Sequence, residues 1–190
     1  MLRRICYFLT ILMGWTYKID QLKDLKSYVI VAAPHTSNWD FFPAMGLIYQ
    51  LQSKKAKPRF IIKKSWLFFP MNLILLPMGA FGVERNKANG INQTDMLANI
   101  FKEHQDFIMM ISPEGTRSPN DQWKTGFYTV ALKAQVPIAL AYADYQKKEV
   151  GIAKIIHPNV FEQDMKVISE IYGSITGKRP QNFKLDKRFS

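Results

Sequence analysis

The chain has 190 residues, 47% of them hydrophobic, and carries a formal net charge of +11 from 26 basic and 15 acidic side chains. That is the size of one ordinary domain with ample material for a core, and the charge favours an anionic partner such as phospholipid headgroups, a phosphorylated substrate or nucleic acid. The single cysteine, Cys6, excludes an intramolecular disulfide and any multi-cysteine metal site and reads as a packing residue.

At the start of the chain, Arg3 and Arg4 precede an apolar run from Ile5 to Trp15. The run is shorter than the roughly 20 residues a membrane-spanning helix needs, and Trp15, Tyr17 and Lys18 stand where a signal peptide would have small residues. Residues 1–18 are therefore expected to form a short helix in the membrane interface, with a plain packing helix as the alternative. Tyr28 to Ala33 (YVIVAA) reads as a buried strand running into Pro34 and His35. Further strands are expected at Arg59–Ile62, Phe81–Val83, Phe107–Ile111, Pro137–Ala143 and Val150–Ile156, and helices near Phe41–Leu51, Ile91–Glu103, Gly126–Ala134 and Phe161–Ile175. The alternation predicts an α/β fold with a mostly parallel central sheet flanked by helices. Between them, Trp66, Leu67, Phe68, Phe69, Pro70 and Met71 place bulky groups on consecutive positions, which fits either a buried, kinked helix or a surface touching lipid or an acyl chain. The basic, weakly periodic stretch 178–190 is expected to be a loose tail or a membrane-facing extension.

In such sheets the ligand site lies beyond the carboxyl ends of the strands, and three polar segments fall there. His35 ends one strand and Asp40 follows five positions later around a helix start, so the chain can fold back and let the carboxylate support the imidazole as a general base for a hydroxyl. Ser37 and Asp40 also have capping-box spacing, which would give the same carboxylate a purely structural task. Pro113, Glu114, Gly115, Thr116, Arg117 and Ser118 follow another strand; Gly115 permits a tight turn and Arg117 offers a fork for phosphate or carboxylate, unless Glu114 and Arg117 simply pair across a turn. Gly79 to Arg85 brings a second arginine to the same edge, where Arg85 and Arg117 could clamp an anion. Lys63 and Lys64 are candidates for contact with the acyl donor or membrane phosphates, His104 and His157 read as surface or turn residues, and no residue set is expected to hold a metal.

Taken together and in this order, the segments resemble the lysophospholipid acyltransferases, the 1-acyl-glycerol-3-phosphate acyltransferase family. Of the four family blocks, Asn-His-x-x-x-x-Asp corresponds to His35 and Asp40 with Pro34 in place of asparagine. Gly-x-x-Phe-Ile-x-Arg matches at Gly79, Val83 and Arg85 with Gly82 in place of phenylalanine. Phe-Pro-Glu-Gly-Thr-Arg-Ser matches from Pro113 to Ser118 with Ser112 in place of phenylalanine, and Val-Pro-Ile-x-Pro matches Val136, Pro137 and Ile138 but has Leu140 at its last proline. The resemblance implies a glycerolipid acyltransferase-like fold over residues 1–190, His35 deprotonating the acceptor hydroxyl with Asp40 behind it, and Arg85, Glu114, Gly115, Thr116 and Arg117 around the acceptor. It implies acyl-CoA or acyl carrier protein as co-substrate with no further cofactor, and membrane phospholipids and a lysolipid acceptor as partners, with a carrier protein as a further candidate. It also implies residence at the cytoplasmic face of the cell membrane as a peripheral or monotopic protein. Competing readings are an acyltransferase for a phosphate-free lysolipid, a lipid esterase using Ser37, Ser112 or Ser118, and a basic lipid- or nucleic-acid-binding module. No Gly-x-Ser-x-Gly elbow and no nucleic-acid motif is present, so nucleic acid is not expected as a partner.

Overall fold

The structure, a computed structural model, describes residues 2–22, 25–53, 57–83, 92–104 and 106–190, and only the backbone of Gln52, Ser53, Lys57 and Lys63. In chain order the elements are α1 (Leu2–Leu12), β1 (Thr16–Lys18), β2 (Tyr28–Ala32), α2 (Phe41–Ser53), β3 (Lys57–Lys63), α3 (Met71–Leu75), β4 (Ala80–Val83), α4 (Gln93–Glu103), β5 (Phe107–Ile111), α5 (Gly126–Ala134), β6 (Ile138–Asp144), β7 (Glu149–Ile156) and α6 (Phe161–Gly173). The seven strands form one sheet in the order β1-β7-β6-β2-β5-β3-β4. From β6 to β4 every neighbouring pair is parallel, while β7 turns back antiparallel to β6 and takes β1 parallel to itself.

The central strands are unbroken apolar runs because both of their faces are covered. Val29, Val31, Phe107, Met109, Ile138 and Leu140 point to one layer, where they meet Leu97, Phe101, Phe127, Val130, Met165 and Ile168 of α4, α5 and α6. Tyr28, Ile30, Ile108, Met110, Ala139 and Ala141 point to the other, against Met45, Leu47, Ile48 and Leu51 of α2 and Cys6 of α1. Strand β2 sits at the centre, with β5 on one side (Val31 opposite Ile111) and β6 on the other (Val31 opposite Leu140). Three carboxyl ends thus emerge side by side.

The structure departs from the sequence expectations at β1, which lies within residues 1–18 expected as helix, and at the C-terminal segment, and it bears on alternatives left open at the Trp66 cluster and at α1. Strand β1 is only three residues long, and its pattern is too brief to register as a period. The Trp66 cluster is not a buried, kinked helix: Trp66, Phe68, Phe69, Leu73, Ile74 and Leu76 are all exposed around the one-and-a-half-turn α3. Helix α1 turns its small residues inward, with Cys6 and Thr10 buried, and its large ones outward, with Leu2, Ile5, Phe8, Leu9 and Leu12 exposed. Finally, residues 178–190 are not a loose tail: Asp186 is fully buried, its carboxylate accepts the Trp123 amide (3.1 Å), and the backbone of Lys187 donates to Asp121 O (3.0 Å).

One departure from the family pattern has a direct packing cause. A side chain at Gly82 would meet Leu67 Cδ1 at 2.5 Å, so the space a phenylalanine would claim is already filled by leucine.

Candidate active site

Strand β2 ends at Ala32, and Ala33, Pro34 and His35 carry the chain off the sheet edge. Its neighbour β5 ends at Ile111 and delivers Ser112, Pro113 and Glu114 beside it. The buried Glu114 carboxylate accepts the backbone N–H of His35 with both oxygens (2.8 and 3.1 Å), and Ser112 Oγ donates to Oε2 (3.0 Å). Glu114 therefore grips the main chain of His35; it does not pair with Arg117 across the turn.

The next residues fold back as the sequence spacing allows. Ser37 caps a single 3-10 turn, Asn38–Asp40, that leads into α2; its Oγ accepts the Trp39 amide (3.2 Å). Asp40 closes the reciprocal half of the capping box: its Oδ2 accepts the N–H groups of Ser37 (2.8 Å) and Thr36 (2.7 Å). The same Oδ2 lies 3.4 Å from His35 Nδ1. The two sequence readings of Asp40, cap and histidine partner, are thus one arrangement, because the cap fixes the carboxylate where the imidazole meets it. At 3.4 Å the contact is looser than an ordinary hydrogen bond. The His35 side chain is about one-third exposed and Asp40 is buried.

Burial pushes the Glu114 carboxyl up to about 7, outweighing the bonds from His35 N–H and Ser112 that favour its charged form. A carboxyl raised in the folded state makes folding more favourable at low pH, and that advantage is lost as pH rises from its unfolded value of 4.5 through about 7. In urea unfolding between pH 4 and 8, wild type is expected to lose about 3 kcal/mol relative to Glu114→Gln. Parallel pH curves for the two proteins would exclude this.

His35 and Asp40 line a cleft of about 870 Å³ together with Ser112, Gly115, Thr116, Arg117 and Lys124, while Ala44, Ile48, Phe60, Leu75 and Met78 give it an apolar side. This is a size and polarity suited to a small molecule with a charged end and a hydrocarbon part. Gly115 has φ +67°, a left-handed conformation that a side chain would strain, and Lys124 packs where a Cβ would stand. The loop braces itself: Lys124 N–H donates to Pro113 O (2.8 Å) and Asn120 Nδ2 to Glu114 O (2.8 Å). Arg117 is exposed and meets no carboxylate among the described residues. Lys124 has no counterpart in the sequence reading; it lies ten positions from Glu114, and only the closure of this loop brings it back onto Gly115.

The remaining expected site residues divide. Arg85 lies outside the described residues, so its convergence with Arg117 is not described. Lys63 ends β3 and Lys64 opens the following turn, exposed, at the carboxyl edge of the sheet but two strands away from β2. His104, just before β5, and His157, just after the antiparallel β7, are both at the opposite edge. Ser37 Oγ and Ser112 Oγ are each engaged in structural bonds, which weighs against either as an esterase nucleophile. Among the described residues no three histidine, cysteine or carboxylate side chains cluster as metal ligands.

Fold and site together define an α/β protein whose sheet edge presents a carboxylate-supported histidine beside a cationic loop. The family model for Acyltransferase matches residues 16–141, two-thirds of the chain, and the protein belongs to that family, which comprises 1-acylglycerol-3-phosphate acyltransferases and related lysophospholipid acyltransferases. No curated protein and no solved structure matches the chain. The protein is therefore an acyltransferase of lipid metabolism.

Proposed function

We propose that the protein transfers a fatty acyl group from an acyl-CoA or acyl carrier protein thioester to a hydroxyl of a lysophospholipid such as 1-acyl-glycerol-3-phosphate. The observation that carries this reading is His35, one-third exposed in a cleft, with Nδ1 facing a capped, buried Asp40. His35 Nε2 takes the proton of the acceptor hydroxyl as its oxygen attacks the thioester carbonyl. The new C–O bond forms, the C–S bond breaks, and the imidazolium returns its proton to the departing thiolate. Asp40 stabilises the imidazolium while it exists, and Glu114 keeps the His35 main chain from shifting. Arg117 and Lys124 supply two cations for a phosphate on the acceptor, and the apolar side of the cleft receives hydrocarbon.

The outward apolar faces of α1 and of the Trp66–Leu76 segment support peripheral attachment to a membrane, with Arg3, Arg4 and Lys64 near them to meet anionic headgroups. No helix among the described residues is long and apolar enough to cross a bilayer. The negative surface of the cytoplasmic leaflet suits the +11 charge.

The test is acyl transfer from labelled acyl-CoA and acyl carrier protein to lysolipids with and without phosphate. Arg117→Ala is expected to raise KM for the phosphate-bearing acceptor about 10- to 100-fold with kcat little changed, the loss of one charge-assisted contact. Equal use of a phosphate-free acceptor by wild type and variant would transfer the proposal to that acceptor class. Membrane binding without product from any donor would favour a lipid-binding role.

A further inference from the structure

Six side-chain atoms among the described residues are buried without a hydrogen-bond partner, and two of them, Asp40 Oδ1 and Tyr145 Oη, belong to residues tied to one place: the Tyr145 amide bonds Thr176, the next residue Gly177 packs against Thr36, and the Thr36 amide donates to Asp40. A buried carboxylate oxygen lacking a donor and a buried phenol lacking an acceptor are both costly, and each supplies what the other needs. Oδ2 of Asp40 is already crowded by the Thr36 and Ser37 amides and by His35 Nδ1, whereas Oδ1 has none of these. The Asp40 carboxylate acts directly on the Tyr145 hydroxyl, raising its pKa in addition to the effect of burial.

Tyr145 is firmly held where it stands. It follows β6, the strand flanking β2 on the side away from β5, so a third carboxyl end contributes to the cluster. Its backbone N–H donates to Thr176 O (2.8 Å), its ring packs edge-on against Trp15 with centroids 4.8 Å apart, and Lys178 Nζ lies 5.4 Å from the ring centre on the C-terminal segment. The turn beyond it is pinned by Asp144 Oδ1, which accepts the amides of Gln146 and Lys147 (2.9 and 3.0 Å).

We propose that Tyr145 is a positioning residue for the base: its hydroxyl donates to Asp40 Oδ1 and so fixes the plane of the carboxylate, keeping Oδ2 turned toward His35 Nδ1. The proposal rests on the reading of His35 as the general base. The bond closes when the imidazole is protonated and the carboxylate draws in its donors, and it spreads the Asp40 charge over two partners. Removing the hydroxyl concentrates that charge on His35 and frees the carboxylate to turn.

Tyr145→Phe deletes one oxygen and keeps the ring against Trp15, so the fold is retained. In the full-length chain the imidazole titrations are followed by NMR, with the exposed His104 and His157 at the far sheet edge as internal references. The other charged or titratable groups around the site, Glu114 below the His35 main chain, Tyr172 beside Glu114, Arg117 and Lys124 in the cleft and Lys178 over the ring, stay in place. The His35 midpoint is expected to lie higher in the variant than in wild type, while the references stay fixed. In acyl transfer kcat is expected to fall about 10-fold with both KM values unchanged, and the acid limb of the rate profile to move with the midpoint. A His35 midpoint that is unchanged or lowered, with only the melting temperature reduced, overturns the proposal. Because the titration needs no turnover, a raised midpoint in a protein that transfers no acyl group upholds the contact and removes the acyltransferase reading instead.

Discussion

In the acyl-transfer assay His35→Ala is expected to lower kcat by about 10²- to 10⁴-fold, the range a positioned general base contributes, while the protein stays folded. The fold should survive because Glu114 holds the backbone N–H of residue 35 and not its side chain, and the imidazole is itself one-third exposed. Asp40→Asn separates the two tasks of that carboxylate. Its amide oxygen can still accept the Thr36 and Ser37 N–H groups, so the cap persists, but the charge that stabilises the imidazolium is gone and kcat is expected to fall about 100-fold. Asp40→Ala loses the cap as well and should cost about 1 kcal/mol of stability in addition. If the two side chains act as a unit, the double variant His35→Ala/Asp40→Asn will be no slower than His35→Ala alone. Multiplicative losses would mean that Asp40 serves the reaction independently of His35. If His35→Ala keeps a tenth or more of wild-type kcat, the base is not this imidazole, and neither of the other two histidines can replace it from the opposite edge of the sheet.

Much of this site was legible from the residue order because its parts are local. Strands β2 and β5 are short apolar runs, the polar residues that follow them are adjacent in sequence, and the Ser37–Asp40 cap spans four residues. The family match from Thr16 to Ala141 covers the same segments. What the sequence withheld depends on contacts between distant elements. Tyr145 is carried to the neighbourhood of Asp40 only because β6 lies beside β2, and Lys124 reaches Gly115 only because a loop closes on itself. The role of Glu114 also lay outside the motif. Its place beside Arg117 suggests a ligand contact or a surface pair, yet burial and two oxygens on the His35 amide give it a task within the scaffold. Hydrophobicity misleads where a surface is built for something other than water: the Trp66 cluster and the outer face of α1 have core composition and are exposed.

The C-terminal segment was illegible for the opposite reason, since a basic, aperiodic run gives no sign that one carboxylate in it is buried. Asp186 Oδ2 accepts the Trp123 amide, and Arg188 embraces the same carboxylate through Nε (2.9 Å) and Nη2 (2.6 Å) while Nη2 also reaches Trp123 O (2.7 Å). Burial raises the Asp186 carboxyl, but the Arg188 and Trp123 bonds outweigh that and hold it below its ordinary value. Its contribution to stability is therefore present above the unfolded carboxyl range and lost as pH falls through the lowered one. Farther back, Arg179 N–H donates to Thr36 Oγ1 (3.1 Å) and Asn182 Nδ2 to Thr36 O (3.4 Å), so the same segment ties down the residue after the base. Asp186→Ala leaves the buried Trp123 amide without its acceptor, while the half-exposed Arg188 guanidinium can turn to water, and is expected to cost about 1–3 kcal/mol, measured by urea unfolding at pH 7. Trp123 adjoins Lys124 in the cationic loop, so acceptor KM should rise in Asp186→Ala at temperatures where the variant is still folded. A variant with wild-type stability would mean that the last residues merely rest on the domain, and unchanged KM with lowered stability would mean that they hold the fold without shaping the cleft.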